Sequence, residues 1–271
     1  MKTRVLAAAA LLPLLLFVVL VLPKIFTAIL FGLMAAIGAY ELLKCTGLVK
    51  NSRLIAYGMS MAFLVTIGSG LGVTYAYGML AVLVFSCLVL GELLLSHTKL
   101  PFASVAITFL AGILIPYLFS AVVRLHSGRN GRFLILLPFV IAFLSDTGAY
   151  FAGRAFGRHK LAPVISPNKT VEGVVGGVVG AIVGVALYCL ILEKCFHFEV
   201  HYLYVPIYGI FGSLGAVFGD LCFSAIKRQT GIKDYGNLIP GHGGILDRFD
   251  SMTIVAPLTE VLMLLIPMVV K

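Results

Sequence analysis

The sequence predicts an all-α, polytopic integral membrane protein with about nine transmembrane helices. Of its 271 residues, 61% are hydrophobic, and the mean hydropathy is +1.09. Only 11% are charged, where a soluble domain carries roughly 25%. Leu54 to Gly91 runs for 38 positions without an acidic or basic residue, although one spanning helix needs only about 20. This composition excludes a soluble globular domain.

Apolar segments of spanning length are spread along the whole chain, and we expect one membrane domain over residues 1–271. Its amino-terminal helices would occupy residues 1–132, and its catalytic helices and cytoplasmic loops residues 133–271. The predicted spans are Val5 to Leu22, Ile25 to Leu43, Leu54 to Ile67, Val73 to Leu95, Phe102 to Val123, Phe133 to Phe151, Gly173 to Leu192, Tyr202 to Ile226 and Met252 to Val270.

Two of these spans are unusual. The first is expected to be a retained helix, because its apolar run is longer than the about 7 to 15 residues of a signal-peptide core. The third is short, which is typical of an interfacial or re-entrant segment. Gly68, Gly70 and Gly72 predict a turn after it.

The distribution of basic residues predicts the orientation. In a nine-span arrangement, fourteen of the twenty Lys and Arg residues fall on one side, which the positive-inside rule makes cytoplasmic. Both long charged loops would then face the cytoplasm. The net charge of +9 is expected of a basic face beside anionic lipid and does not require a nucleic-acid partner. An uninterrupted nine-span chain suits a bacterial inner membrane.

Two acidic residues interrupt predicted spans. Asp146 lies in the sixth span and Asp220 in the eighth. A charge at the bilayer centre costs about 2.5–3.5 kcal/mol on insertion scales, so both residues are candidates for a functional site. Glu41, Glu92 and Glu260 are interpreted as structural, because the first two lie near span ends and the third lacks polar neighbours.

Helical spacing groups Asp220 with other polar residues. Asp220, Ser224, Lys227 and Arg228 occupy positions i, i+4, i+7 and i+8, which share one helix face. This stripe runs from acid to base along a helix that leaves the membrane. It suits an anionic ligand held partly through a metal ion.

The loops that follow the two aspartates carry similar chemistry. Ser166, Lys169 and Thr170 come just before a predicted helix, where cations, hydroxyls and the helix amino terminus favour phosphate binding. In the later loop, Asp247 and Asp250 share a face if a helix begins near Ile245. Nearby glycines allow close approach of a ligand to the backbone, namely Gly241, Gly243 and Gly244.

Nucleotide phosphate transfer fits these residue types best. Magnesium uses one or two carboxylates together with substrate phosphates and water, so Asp220 and Asp247, with Asp250 as a further ligand, are predicted to hold one or two ions. Calcium storage and a structural ion-pair network remain alternatives for the same residues.

One long run resembles a known family. The run SAIKRQTGIKDYGNLIPGHGGILDRFD, from Ser224 to Asp250, is similar to the signature of the phosphatidate cytidylyltransferases, or CDP-diacylglycerol synthases. The upstream run SDTGAYFAGRAFGRHKLAPVISPNKTVEG, from Ser145 to Gly173, resembles a second block of that family. One position departs from the pattern, because many members carry a glutamate where this chain has Phe223.

The resemblance implies a reaction and a set of roles. CTP and phosphatidate would give CDP-diacylglycerol and pyrophosphate, with magnesium and a second cation, in a homodimer with a catalytic funnel open to the cytoplasm. Asp220 and Asp247 would bind metal, with Asp250 and Asp146 in support. The implied catalytic and phosphate-binding residues are Asp220, Lys227, Arg228, Asp247, Arg248, Lys169 and Lys233, and the further substrate-binding residues are Ser166, Thr170, Ser224 and His242. His242 is expected to donate a hydrogen bond or to support the loop rather than to act as a base.

Other activities make different predictions. A cytidylyltransferase for another acidic lipid is the nearest alternative, and a CTP-dependent lipid kinase would release CDP instead of pyrophosphate. A transporter does not need so many basic and acidic residues in one loop. A CDP-alcohol phosphotransferase is disfavoured, because its Asp-Gly-x-x-Ala-Arg run is absent.

Overall fold

A computed structural model describes residues 13–96, 99–238 and 243–270. It is predominantly helical and confirms the all-α membrane fold. Within these residues, seven helical segments are long and apolar enough to cross a membrane: Lys24–Cys45, Ser52–Leu71, Tyr75–Leu95, Phe102–Ser127, Gly131–Phe156, Val171–Phe196 and Tyr202–Gln229.

The helices and strands follow one another along the chain with short connections. Residues 13–20 are helical. The helices after them are α1 (Lys24–Tyr40), α2 (Ser52–Leu71), α3 (Tyr75–Leu95), α4 (Phe102–Phe109), α5 (Ile115–Phe119), α6 (Ala121–Ser127), α7 (Gly131–Leu134), α8 (Leu136–Phe156), α9 (Val171–Phe196), α10 (Val205–Gln229), α11 (Leu246–Phe249) and α12 (Met252–Leu265). Two π-helical segments, Glu41–Cys45 and Leu110–Leu114, follow α1 and α4, and a 3₁₀ turn spans Tyr202–Tyr204. The strands are β1 (Lys160–Ala162), β2 (Ser166–Thr170), β3 (Glu199–Val200) and β4 (Val269–Val270).

The chain forms two compact units. The first comprises Met1–Arg129 and Lys227–Phe249, and the second comprises Asn130–Ile226 and Asp250–Lys271. The prediction of a single membrane domain divided after residue 132 stays a prediction.

The third predicted span differs from expectation. It forms α2, a helix of 20 residues that continues through Gly68 and Gly70, so the expectation of a short segment is wrong. The predicted turn is confirmed at Gly72, which ends the helix with φ of 62°. Glycine is favoured in this left-handed conformation because glycine has no Cβ atom.

The first and the last predicted spans also need comment. The ninth span was expected to reach Val270, but α12 has only 14 residues and ends at Leu265. Ile266 leaves the helical region with φ −138° and ψ 71°, because the following Pro267 disfavours a helical conformation before it. Val269–Val270 instead pair with β3. Residues 5–12 of the first predicted span lie outside the described residues, and the count of nine stays a prediction.

The second unit is built on close contact between α8 and α9. A Cβ atom added at Gly148 would lie 2.3 Å from the Gly176 carbonyl oxygen, and one added at Gly180 would lie 2.5 Å from the Leu144 carbonyl oxygen. Small residues allow such backbone contact between membrane helices. A hydrogen bond of 2.7 Å between the hydroxyls of Ser145 and Ser213 joins α8 to α10. These contacts position the helix that carries Asp220.

Candidate active site

Asp220 lies on α10, where it contacts a lysine and a serine within the second unit. Its Oδ2 atom forms an ion pair with Lys169, the residue before the last of β2. Its Oδ1 atom accepts a hydrogen bond of 3.1 Å from Ser224, one helical turn later. The Asp220 side chain keeps 31% of its surface exposed, so this carboxylate remains accessible while its charge is balanced. The structure therefore brings together three predicted site residues.

The loop that supplies Lys169 is a short β-hairpin. Strands β1 and β2 pair antiparallel, with Lys160 opposite Thr170 and Ala162 opposite Ser166. Thr170 is the N-cap of α9, and its hydroxyl accepts the backbone N–H of Gly173 at 3.1 Å. The predicted helix start after Thr170 is confirmed. The hairpin and the cap hold Lys169 at the amino-terminal end of α9.

His159, just before β1, contacts Glu172 at the start of α9. The Nδ1 atom of His159 lies 2.6 Å from Oε1 of Glu172 in the first turn of α9. The Glu172 carboxylate also accepts the backbone N–H groups of Arg158 and His159. These bonds attach the chain entering β1 to α9.

Asp250 lies beside α10 in the second unit. A Cβ atom at Gly219, the residue before Asp220, would come within 2.9 Å of the Asp250 carbonyl oxygen. The Asp250 side chain is buried, and its Oδ1 atom accepts the backbone N–H of Ser251 at 2.7 Å. The chain at Asp250 therefore packs closely against the turn of α10 that precedes Asp220.

Asp247 lies in the first unit, at the centre of a compact cluster. Its Oδ1 atom accepts a hydrogen bond of 2.8 Å from the ammonium group of Lys227. Its Oδ2 atom accepts the backbone N–H groups of Tyr235 at 2.7 Å and Gly244 at 3.0 Å. The Tyr235 ring is fully buried, with the Lys227 nitrogen 5.4 Å from its centroid. The predicted site residues Lys227 and Asp247 are thus in direct contact.

Glu41 is a member of this cluster that sequence reasoning did not select. Its side chain is buried, and its two carboxylate oxygens accept the backbone N–H groups of Ile245 and Leu246. The signal in the sequence is an acidic residue inside an apolar helix, but its position near the predicted end of that span favours a structural role. The structure places it in the π-helical segment after α1, and π-helical turns often occur at functional sites.

The remaining predicted site residues have varied positions. Arg228, Lys233 and Arg248 are exposed, as is Asp146 on α8, while Ser166 is half-buried. The predicted helix near Ile245 forms as α11, which begins at Leu246. His242 and Gly241 lie outside the described residues.

The donor groups allow a limited test of magnesium binding. The described residues contain no group of three or more His, Cys, Asp or Glu side chains arranged to hold a metal ion. Magnesium does not require such a group, because it binds through one or two carboxylates together with phosphates and water. Asp220 fits that donor set as a partly exposed carboxylate. At Asp247 a metal ion must compete with Lys227 and two backbone amides, since the side chain is only 2% exposed.

Comparison with known proteins identifies the family. The family model described as the cytidylyltransferase family matches residues 2–266. The chain belongs to the cytidylyltransferase family. It is therefore a nucleotidyltransferase, an enzyme that transfers a cytidylyl group.

Several bacterial relatives of this cytidylyltransferase carry a more specific name. The phosphatidate cytidylyltransferase of Bacillus subtilis (strain 168) is 34% identical over 265 residues, which cover 95% of each chain. That of Staphylococcus epidermidis (strain ATCC 12228) is 33% identical over 270 residues, covering 97% of this chain and 99% of the relative. That of Staphylococcus haemolyticus is 36% identical over 185 residues, or 68% of each chain. The matches of nearly full length include both loops described above.

Proposed function

We propose that this cytidylyltransferase acts on CTP and phosphatidate and produces CDP-diacylglycerol and pyrophosphate. The observation that carries the proposal is the buried contact between Lys227 and Asp247, 2.8 Å long, inside the run that resembles the phosphatidate cytidylyltransferase signature. The names of the full-length relatives support the same substrate. The membrane fold is consistent with a lipid substrate, since seven segments can cross a bilayer.

The proposed reaction needs little help from a general base. A phosphate monoester is largely dianionic near pH 7, because its second pKa is about 6. A phosphatidate oxygen attacks the α-phosphorus of CTP and forms a new P–O bond. The bond between the α-phosphorus and its bridging oxygen breaks, and pyrophosphate leaves with the electron pair. Alignment of the reactants and charge neutralisation are therefore the main contributions expected of the protein.

The basic residues of the proposed site fall into two groups, those exposed at the surface and those paired with an aspartate. Arg228, Lys233 and Arg248 are exposed, and contact with phosphate groups is their proposed role. Lys169 and Lys227 each lie against an aspartate, so they also orient that carboxylate.

The proposed hydroxyl ligands have protein partners in the structure. The Thr170 hydroxyl accepts from the backbone of α9, and the Ser224 hydroxyl donates to Asp220. Their roles in substrate binding, together with those of Ser166 and His242, stay predictions.

Magnesium is the proposed cofactor. Asp220 in the second unit and Asp247 in the first unit are each proposed as a carboxylate ligand for one or two ions, and Asp220 fits the donor set better. When bound, the ion supplies positive charge that neutralises the triphosphate and the departing pyrophosphate. Asp146 and Asp250 are the proposed ligands of a second cation. Asp220 is held ready for this role by Lys169 and Ser224, which fix the carboxylate on either side.

We also propose a location and an assembly. The enzyme is a multi-pass protein of a bacterial inner membrane, with its catalytic loops facing the cytoplasm and CTP. Fourteen of the twenty basic residues lie on that side of the nine-span arrangement. The Lys169–Asp220 pair also places the start of α9 beside the later part of α10, as expected for two successive antiparallel spans. The resemblance to the family supports a homodimer.

One assay separates the proposal from its alternatives. Purified protein is supplied with CTP, magnesium and either phosphatidate or diacylglycerol, and both pyrophosphate and CDP are measured. The proposal predicts pyrophosphate and CDP-diacylglycerol with phosphatidate alone. CDP release with diacylglycerol would instead identify a lipid kinase, and turnover only with another acidic lipid would identify a related transferase.

A further inference from the structure

Glu41 connects the first membrane helix of the described structure to the loop that carries Asp247. Its side chain is 3% exposed. Oε1 accepts the N–H of Ile245 at 3.0 Å, and Oε2 accepts the N–H of Leu246 at 2.8 Å. Both contacts join residues more than 200 positions apart in the sequence. A buried carboxylate that accepts two backbone amides holds that backbone firmly.

The neighbouring N–H group is also bound by a carboxylate. Gly244 donates to Oδ2 of Asp247 at 3.0 Å, so three consecutive amides, those of residues 244–246, are bound by Glu41 and Asp247. Two glycines of this loop, Gly236 and Gly244, lie directly against the Glu41 carboxylate. A Cβ atom at Gly236 or Gly244 would lie 2.6 Å or 2.4 Å from its Oε1 atom. At Gly244 the Glu41 side chain approaches the backbone closely, whereas the sequence predicts close approach of a ligand there.

We propose that Glu41 is a positioning residue for cytidylyl transfer. By holding the backbone of Ile245 and Leu246, it sets the direction in which α11 leaves the loop and thus the placement of Asp247 and Arg248. The inference rests on the proposed function, because Asp247 and Arg248 are assigned their roles there. Glu41 itself contacts backbone amides, and its effect on the reaction passes through the residues that follow them.

A glutamine at this position provides a sharp test. Glu41→Gln keeps the volume and one acceptor oxygen, but it places an NH2 group against one of the two backbone N–H donors. The loop then loses one hydrogen bond and gains a donor facing a donor, which is unfavourable in a buried site. The isosteric change leaves helix packing intact.

Glu92→Gln is the matched control within the same unit. Glu92 is also a buried glutamate on a membrane helix with two hydrogen-bond donors, Asn51 and Arg53. Those donors are side chains outside both catalytic loops. A general effect of neutralising a buried acid would therefore appear in both variants.

The first measurement is steady-state release of pyrophosphate from CTP and phosphatidate in detergent. Displacement of reacting groups by about 1 Å costs about 100-fold in rate, so kcat of Glu41→Gln should fall by about that factor while KM for CTP stays within about twofold. Glu92→Gln should retain the wild-type kcat. A wild-type or increased kcat in Glu41→Gln, or an equal loss in both variants, would overturn the inference.

Hydrogen–deuterium exchange of the peptide covering residues 243–249 is the second measurement. Glu41→Gln should speed exchange in this peptide, whereas Glu92→Gln should leave it unchanged. If wild-type protein lacks turnover with phosphatidate, the proposed function fails, and the exchange result alone then decides the role of Glu41. Unchanged protection in Glu41→Gln would contradict it.

Discussion

Lys227 and Asp247 form an ion pair of 2.8 Å, in which their side chains are only 13% and 2% exposed. Each buried charge is stabilised by its partner because water does not solvate it. Removal of one partner of a buried pair typically lowers the free energy of unfolding by about 3–5 kcal/mol. The backbone N–H groups of Tyr235 and Gly244 complete the shell around the aspartate. The pair therefore stabilises the conformation of the loop that contains Tyr235 and Gly244.

Asp247→Asn should reduce turnover by at least about 100-fold while folded protein remains in the membrane. The amide keeps the size of the side chain but leaves Lys227 without its buried counter-ion. Pyrophosphate release measures the activity, and size-exclusion chromatography measures folding. Glu199→Gln, which alters an exposed acid on β3, is the control and should behave as wild type. Near-normal activity of Asp247→Asn would refute its proposed role.

Lys227→Ala should raise KM for the anionic substrates, because a cation that lies beside the loop is lost. The uncompensated Asp247 also repels phosphate, so we expect a rise of about tenfold, or about 1.4 kcal/mol. Kinetics are measured separately against CTP and phosphatidate. Lys194→Ala removes an exposed lysine from the last turn of α9 and is the control. Unchanged constants for Lys227→Ala would mean that this lysine serves only its ion pair with Asp247 and does not contact the substrates.

Asp220→Asn should abolish turnover at low magnesium concentration. The asparagine is a weaker magnesium ligand and no longer balances Lys169, so both metal affinity and the position of the lysine should change. Activity is titrated with magnesium for the variant and for wild type. An unchanged magnesium dependence would remove Asp220 from the proposed metal site.

Thr170→Val should destabilise the start of α9. The variant keeps the shape of the side chain but loses the hydroxyl that accepts the N–H of Gly173, and loss of such a cap costs about 1 kcal/mol. Thermal unfolding in detergent measures the effect. Thr74→Val is the matched control, because Thr74 is the N-cap of α3 but its side chain makes no capping hydrogen bond. Equal shifts in the two melting temperatures would show that the cap has no specific role.

Single cysteines test the orientation of the protein. In a background without the five native cysteines, a cysteine at Val164 or Asn237 should be protected from a membrane-impermeant maleimide in intact cells. A cysteine at Glu199, an exposed residue of β3 between the spans Val171–Phe196 and Tyr202–Gln229, should be labelled. Labelling of the first two positions from outside would reverse the proposed topology.

Much of the fold follows from local sequence signals. Apolar runs of spanning length predict most of the long helices. The helix start predicted just after Thr170 is also confirmed, with Thr170 as the N-cap of α9. The length of the last helix was missed because the segment after Leu265 is as apolar as a span. Only the conformation imposed before Pro267 distinguishes it.

The site could be predicted only in part. Spacing along α10 grouped Asp220 with Ser224, and the structure places them in contact. The pairing of Asp220 with Lys169, and the contact of Glu41 with Ile245, join distant parts of the chain and depend on tertiary packing. Periodicity in a single sequence carries no information about such pairs.

The contact between α8 and α9 restricts the routes by which a lipid can approach Asp220. A Cβ atom at Gly176 would lie 2.1 Å from the Cβ atom of Ala152, so the two backbones leave no room even for a methyl group. An acyl chain cannot pass through this seam unless the helices separate. A lipid substrate diffusing in the bilayer would therefore have to approach from another side, and mutations that widen this seam are expected to loosen the scaffold without opening an entrance.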